Sequence, residues 1–260
     1  MMKRRQFLQT STAASCLLGT SALAAAAQHA AEELDYYEQR IYQVANEGKR
    51  QLVSEYLEHA ALPALRRLGI GPVGVFTEQG DAATLALHLL VTYRSLEQFA
   101  GARLAMEADR EYQAAAAGHL GAQKEDPAFR RIQSSLMVAF AGMPRLALPG
   151  KEPRVFEWRL YESHSEAKAR RKIEMFNDGE IPIFVEAGFA PVLFGETLIG
   201  PRIPNLKYML ASPSMEAHEA HWAAFRKHPD WLAMKNMPKY RGTVSKISTT
   251  FLAPTGYSEI

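Results

Sequence analysis

Two stretches of alternating polarity carry the same three side chains at every second position: Glu38, Arg40 and Tyr42, and again Glu157, Arg159 and Tyr161. Residues two apart in a strand share one face, so each trio stands side by side on a sheet. Charged side chains are almost never fully buried unpaired, so the trios must pair internally, meet water or bind a ligand. An internal Glu–Arg network that closes the fold is the plainer outcome, because buried polar groups are usually satisfied within the protein. The sharper outcome is a pocket in which Arg40 or Arg159 holds a substrate carboxylate through the parallel N–H donors of its guanidinium. With the opposite face of each strand packed on helices, Glu38, Arg40, Tyr42, Glu157, Arg159 and Tyr161 are expected to project into the space between two sheets. They are the candidate ligand-binding residues. No nucleophile, base and oxyanion set assembles around them, so no catalytic residue is assigned.

Other chemistries are weaker. His218, Glu219 and His221 put two imidazoles at i and i+3, whereas the zinc-protease pattern needs i and i+4. A third ligand would have to come from elsewhere, His228 being the nearest choice, and the expectation is solvent-facing histidines near a helix start rather than a metal site. Trp222, Phe225 and Trp231 sit at helical or turn spacing and are expected to pack rather than to form a stacking platform. No dinucleotide or phosphate-loop glycine motif and no nucleophile elbow is present, which disfavours nucleotide cofactors and serine hydrolysis.

Composition narrows the classes further. The chain has 260 residues, 47% hydrophobic and 22% charged, enough for a packed core. Lys3, Arg4 and Arg5 precede Phe7-Leu8 and an Ala/Ser/Leu run to about Ala27, which reads as a twin-arginine export leader over residues 1–27, with a mature start between residues 25 and 29. Without those three, the 30 basic residues fall to 27 against 28 acidic ones, so no basic surface argues for nucleic acid. No membrane-spanning segment is expected in the mature chain. Cys16, the one cysteine, lies in the leader, so the exported form has no disulfide, cysteine nucleophile or thiolate metal site. A periplasmic or extracytoplasmic location follows from this reading.

The elements that position the trios come from a duplication. Sliding residues 36–112 onto 155–231 without a gap matches both trios and also Pro63 with Pro182, Gly69 with Gly188, Pro72 with Pro191, Ser95 with Ser214, and Glu97 with Glu216. Pro144, Pro149, Gly150 and Pro153 cluster where periodicity is lost. The organisation expected is a first domain over 34–142, a linker over 143–152 and a second domain over 153–257. In each copy a strand (Tyr36–Val44, Val155–Ser163) leads to a helix opened by Asn46, or by a capping box from Ser163 to Glu166. Pro63 and Pro182 should kink or divide that helix, and Gly69 and Gly188 end it. Two strands, a helix begun at Ser95 or Ser214, and a closing strand (131–140, 243–252) complete the order β-α-β-β-α-β. That is the ferredoxin-like split arrangement in an α+β class, with both helices on one sheet face; two such sheets packed face to face make a pseudo-dimeric barrel.

Tyr37-Glu38-Gln39-Arg40-Ile41-Tyr42 and Phe156-Glu157-Trp158-Arg159-Leu160-Tyr161 resemble the opening strand of NIPSNAP domains. So do Trp222-Ala223-Ala224-Phe225 with His228-Pro229-Asp230-Trp231, and the ending from Ser248 to Thr255. The first copy departs from this pattern, with Arg103 opposite Trp222 and Asp109-Arg110-Glu111-Tyr112 opposite His-Pro-Asp-Trp. The resemblance implies a dimeric α+β barrel and no settled chemistry. Three functions follow as expectations: a small-molecule-binding barrel, a haem-using or cofactor-free oxygenase or degradative enzyme, and a structural or assembly protein acting as a homo-oligomer. No cofactor is assigned from the residues. Haem enters through relatives in fold, with His88, which aligns with Lys207, as the one ligand considered.

Overall fold

The computed structural model describes residues 34–151 and 154–260. The expected export leader lies outside the described residues. The first half runs β1 (Tyr36–Gln43), α1 (Glu47–Tyr56), a π-helical turn (Leu57–Ala61), α2 (Leu62–Arg67), β2 (Val73–Gln79), β3 (Leu87–Tyr93), α3 (Leu96–Ala108), α4 (Arg110–Leu120) and β4 (Arg131–Ala139). The second repeats it: β5 (Val155–Glu162), α5 (Glu166–Met175), a π-helical turn (Phe176–Glu180), α6 (Ile181–Glu186), β6 (Ala190–Ile199), β7 (Asn205–Ser212), α7 (Met215–Lys227), α8 (Pro229–Lys235) and β8 (Lys246–Pro254).

Local chemistry sets these boundaries. Asn46, Ser95 and Ser214 cap α1, α3 and α7 by accepting the backbone N–H three residues on. Helix α5 is capped by Ser165 and not by the expected box from Ser163 to Glu166. Ser163 is spent elsewhere, its hydroxyl donating to the Thr243 carbonyl at 2.7 Å. Pro63 and Pro182 stand second in α2 and α6, each directly after a π-helical turn. Proline lacks the N–H that would reach four residues back, and the wider turn absorbs the missing bond, so each helix is divided as expected. Gly69 and Gly188 then reverse the chain at φ of 66° and 100°, values that side-chain-bearing residues rarely adopt.

The eight strands close into one antiparallel barrel in the order β1-β3-β2-β8-β5-β7-β6-β4. Each half contributes four consecutive staves, β4-β1-β3-β2 and β8-β5-β7-β6, joined at both edges by the β2–β8 and β4–β6 pairings. Among the described residues, closure leaves no strand edge open to another chain. The interior is packed by Tyr37, Phe76, Leu90, Met137, Phe156, Trp158, Met209 and Leu252, each Leu, Met or Phe contributing roughly 1.5–3 kcal/mol by its burial. Outside the barrel wall a large core lies under the helices of each half, with a smaller cluster among those helices.

Strand polarity is the reverse of that expected. Tyr37 lines the barrel interior with Phe156 and Trp158, whereas Tyr42 packs with Val53, Leu57 and Leu62 of the first helical layer and Tyr161 with Phe176 and Phe184 of the second. Glu38, Arg40, Tyr42, Glu157, Arg159 and Tyr161 therefore face helices and not the space between the sheets. The apolar cluster takes one part of the barrel interior, and the polar groups beside it, Lys207 with Gln39 and Ser135, and His88 with Glu78, are paired with one another. The divided helices, by contrast, leave a gap above each half-sheet that reaches the surface, where the Arg40 side chain keeps 36% of its exposure.

Candidate functional site: paired cavities between helices and barrel

The second half holds a cavity of about 520 Å³ between β5 and helices α5, α7 and α8. Strand β5 presents Glu157, Arg159 and Tyr161; α5 presents Lys172, the π-helical turn Glu180, α7 His218 and Trp222, and α8 Trp231. Glu157 is the hub. Arg159 Nη1 donates to one carboxylate oxygen at 2.5 Å, while Trp222 Nε1 and His218 Nε2 reach the other at 2.8 and 3.0 Å. Burial pushes the Glu157 carboxyl upward, but hydrogen bonds from His218 and the charge of Arg159 outweigh it and hold it below the ordinary range. Burial also opposes the Arg159 charge, and Tyr208, Tyr161 and Glu157 together overcome it. The guanidinium lies 4.6 Å from the Trp222 ring centre, a geometry that favours a cation over an aromatic face. Its Nε is buried without a hydrogen-bond partner.

A second ion pair stands beside the first. Lys172 Nζ donates to Glu180 at 2.6 Å, with the two side chains 5% and 2% exposed. Burial pushes the Glu180 carboxyl up, against the pull of Lys172. Lys172 Nζ is also 4.6 Å from the Phe176 ring centre and 5.5 Å from that of Trp231. Arg226 and Lys235 complete the lining, so four basic groups meet two carboxylates.

The first half has its own cavity, of about 470 Å³, over Glu38, Arg40 and Tyr42. Arg40 grips Glu38 bidentately through Nε at 2.6 Å and Nη2 at 2.8 Å, and Tyr93 and Ser134 donate to the same carboxylate at 3.0 and 2.9 Å. The positions equivalent to Lys172 and Glu180 are Val53 and Ala61, and those equivalent to His218 and Trp222 are Phe99 and Arg103. The halves share a Glu–Arg–Tyr floor and differ in what stands over it.

The NIPSNAP family model matches residues 37–144 and 156–259. The chain belongs to the NIPSNAP family. No curated protein sequence matches it. Among solved structures it is similar to a candidate monooxygenase from Fusobacterium nucleatum subsp. nucleatum, with 8% identity and a TM-score of 0.55 over 85% of this chain and 92% of that one. It is also similar to a candidate monooxygenase from Lactobacillus acidophilus, with 10% identity and a TM-score of 0.56 over 85% and 94%. A third similar structure, an anthrone oxidase-like protein, shows 10% identity and a TM-score of 0.54 over 86% and 93%. Identities this low speak to the fold alone.

Within this tandem NIPSNAP chain, all six candidate residues line cavities, but three go to each and no single site gathers them. His218 does not face solvent as expected; it is 6% exposed and turned onto Glu157, because its α7 position stands directly over β5. His221 approaches the Ser212 hydroxyl at 3.2 Å and His228 meets Glu186 at 2.9 Å, so the three histidines diverge. Among the described residues no group of three His, Cys, Asp or Glu side chains is placed to hold a metal. Nor does His88 fit a haem-ligand role: it is 5% exposed inside the packed barrel, with Nε2 held by Glu78 at 2.8 Å. Trp222, Phe225 and Trp231 pack as expected, and all three also form cavity wall. Lys172 and Glu180 escape a strand-by-strand reading, yet the internal alignment carries the signal, since each is a charge opposite a core residue of the twin copy.

Proposed function

We propose that this NIPSNAP protein is a small-molecule-binding α+β barrel whose second-half cavity takes a compact organic anion, an aromatic carboxylate by preference. The observation that carries the reading is Arg159: stacked on Trp222, charged, and buried with Nε unpartnered. A buried donor without a partner costs about 1–3 kcal/mol; the Arg159 side chain as a whole keeps 16% of its exposure, so a small turn of the guanidinium toward a ligand oxygen would satisfy it. Tyr161, Trp222 and Trp231 give flat walls for a ring, and the surplus of Arg226 and Lys235 gives the rim its sign. Calorimetric titration of the mature chain with benzoate tests this. One site is expected, weakened by salt and by the double substitution Arg226→Gln, Lys235→Gln, which leaves both buried ion pairs intact. Absence of any thermal stabilisation by benzoate or by short aliphatic carboxylates would defeat it.

A second reading, a cofactor-free oxygenase or degradative enzyme, is favoured by the His218 imidazole held against Glu157 at the cavity floor, an arrangement suited to a general base. The names of the similar structures point the same way. Oxygen-electrode traces with hydroxylated aromatic substrates, showing uptake in the native chain and none in His218→Gln, are its test. We further read each half as a ferredoxin-like unit, on the stave order β4-β1-β3-β2, and residues 1–27 as a twin-arginine leader delivering the folded chain to the periplasm. Fractionation of cells carrying the Arg4→Lys, Arg5→Lys variant tests the export reading, the expected result being retention in the cytoplasm.

A further inference from the structure

The two cavities have diverged in the property that selects a ligand. In the first half Glu38 accepts two bonds on each oxygen, from Arg40 and Ser134 on one and from Arg40 and Tyr93 on the other, so the carboxylate is saturated and the Arg40 charge balanced. At the rim Arg103 pairs with Glu107 at 2.6 Å. No surplus charge remains, in contrast to the second half. Beside the Glu–Arg–Tyr floor lie Leu89 and Val91 of β3, and the aromatic lining is four tyrosines and a phenylalanine, Tyr42, Tyr56, Tyr93, Tyr112 and Phe99. The Tyr56 and Tyr112 hydroxyls lie 2.9 Å apart. Whichever donates to the other, one O–H is left unspent at the cavity wall, and the Tyr56 ring is held in place by stacking on His119. Burial holds the Tyr42, Tyr56 and Tyr93 hydroxyls above their ordinary range, so they remain neutral donors.

We propose that the first-half cavity is a second, separate binding site, for an uncharged aromatic molecule bearing a hydroxyl or carbonyl oxygen. The ring lies among the tyrosine faces and its oxygen meets the Tyr56–Tyr112 pair. An anion is discriminated against because it finds no unbalanced cation there, and losing hydration without a partner is costly.

1-Naphthol is the probe, titrated calorimetrically into the mature chain. One site is expected, insensitive to salt, and weakened about tenfold in the Tyr56→Phe, Tyr112→Phe double variant, which keeps both rings and removes both hydroxyls. Ala102→Phe, which fills the cavity from α3, is expected to abolish binding; a folded Ala102→Phe protein that binds as the native chain does overturns the proposal, as does a native chain that binds no 1-naphthol. If Ala102→Phe does not fold, fluorotyrosine NMR decides. Shifts of the Tyr56 and Tyr112 resonances on adding 1-naphthol support the site, whereas quenching of Trp222 and Trp231 with no tyrosine shift places the probe in the other cavity and overturns it. Benzoate binding is scored separately, so failure of the anion site and failure of this one are distinguishable.

Discussion

Lys172 and Glu180 illustrate how little a buried ion pair need add to stability. Removing one partner strands the other charge, and Lys172→Val is expected to cost about 3–5 kcal/mol, read as a lowered urea midpoint. The double variant Lys172→Val, Glu180→Ala installs the residues that the first half carries at these positions, Val53 and Ala61, and should recover most of that loss. Failure to recover would mean that the pair holds the second half together and is not kept for the cavity. Lys207, inside the barrel, is a buried charge held by neutral partners. Its Nζ donates to Gln39 at 2.9 Å and Ser135 at 2.8 Å, and burial pulls it down to about 8 from an ordinary 10.5. Below pH 8 folded and unfolded chains both carry this proton, and the folded state bears the full burial penalty. Between 8 and 10.5 the unfolded chain binds a proton that the folded one does not, so stability rises with pH through that window. Denaturation curves of the native chain and Lys207→Met, subtracted at each pH, should show that rise and cancel the ionisation of tyrosines common to both.

The element that matters most for the site is the π-helical turn before each internal proline. In the second half it carries Glu180 into reach of Lys172, eight residues away. Gly179 makes this turn at φ 155°, and a Cβ there would come within 2.9 Å of Met234 Cε on α8. Gly179→Ala should therefore cost about 1–3 kcal/mol through backbone strain, and the measurement is a thermal melt. A loss of benzoate affinity in the same variant would link the turn to the cavity. The proline signal was plain in the sequence, and so was the division of the helix. The form of the division was not, because the π turn closes through the Leu62 and Ile181 N–H groups onto the Leu57 and Phe176 carbonyls, a choice among turn widths that proline alone does not make.

For the molecule as a whole, two half-barrels are held as one closed surface, and the chain's last residues cross back to secure it. Thr255 and Glu259 bond to Val75 and Val73 of β2, the Glu259 carboxylate accepts from the Val73 N–H at 2.6 Å and pairs with Arg66, and Ile260 packs into the barrel interior at 1% exposure. Gly74 leaves space for the Phe76 ring and, behind it, for this side chain: a Cβ there would lie 2.5 Å from Phe76 Cε2 and 3.1 Å from Ile260 Cδ1. Ile260→Ala is expected to cost about 2–4 kcal/mol, measured by denaturant titration, and a loss below 1 kcal/mol, about the price of a surface change, would show that the tail is not part of the core. The duplication, the α+β class, most element positions and the identity of the floor residues could all be read along the chain, because repeats, strand alternation, caps and prolines act over a few residues each. Which face of β1 and β5 looks inward could not. Both faces mix apolar and polar groups, so alternation alone does not orient the strand, and the choice fell to the fit of Phe76, Phe156, Trp158 and Met209 into one barrel interior. That single decision moved Glu38, Arg40, Tyr42, Glu157, Arg159 and Tyr161 from one imagined chamber into two real cavities, and only the packed helices above them determined that one would gather charge and the other tyrosine hydroxyls.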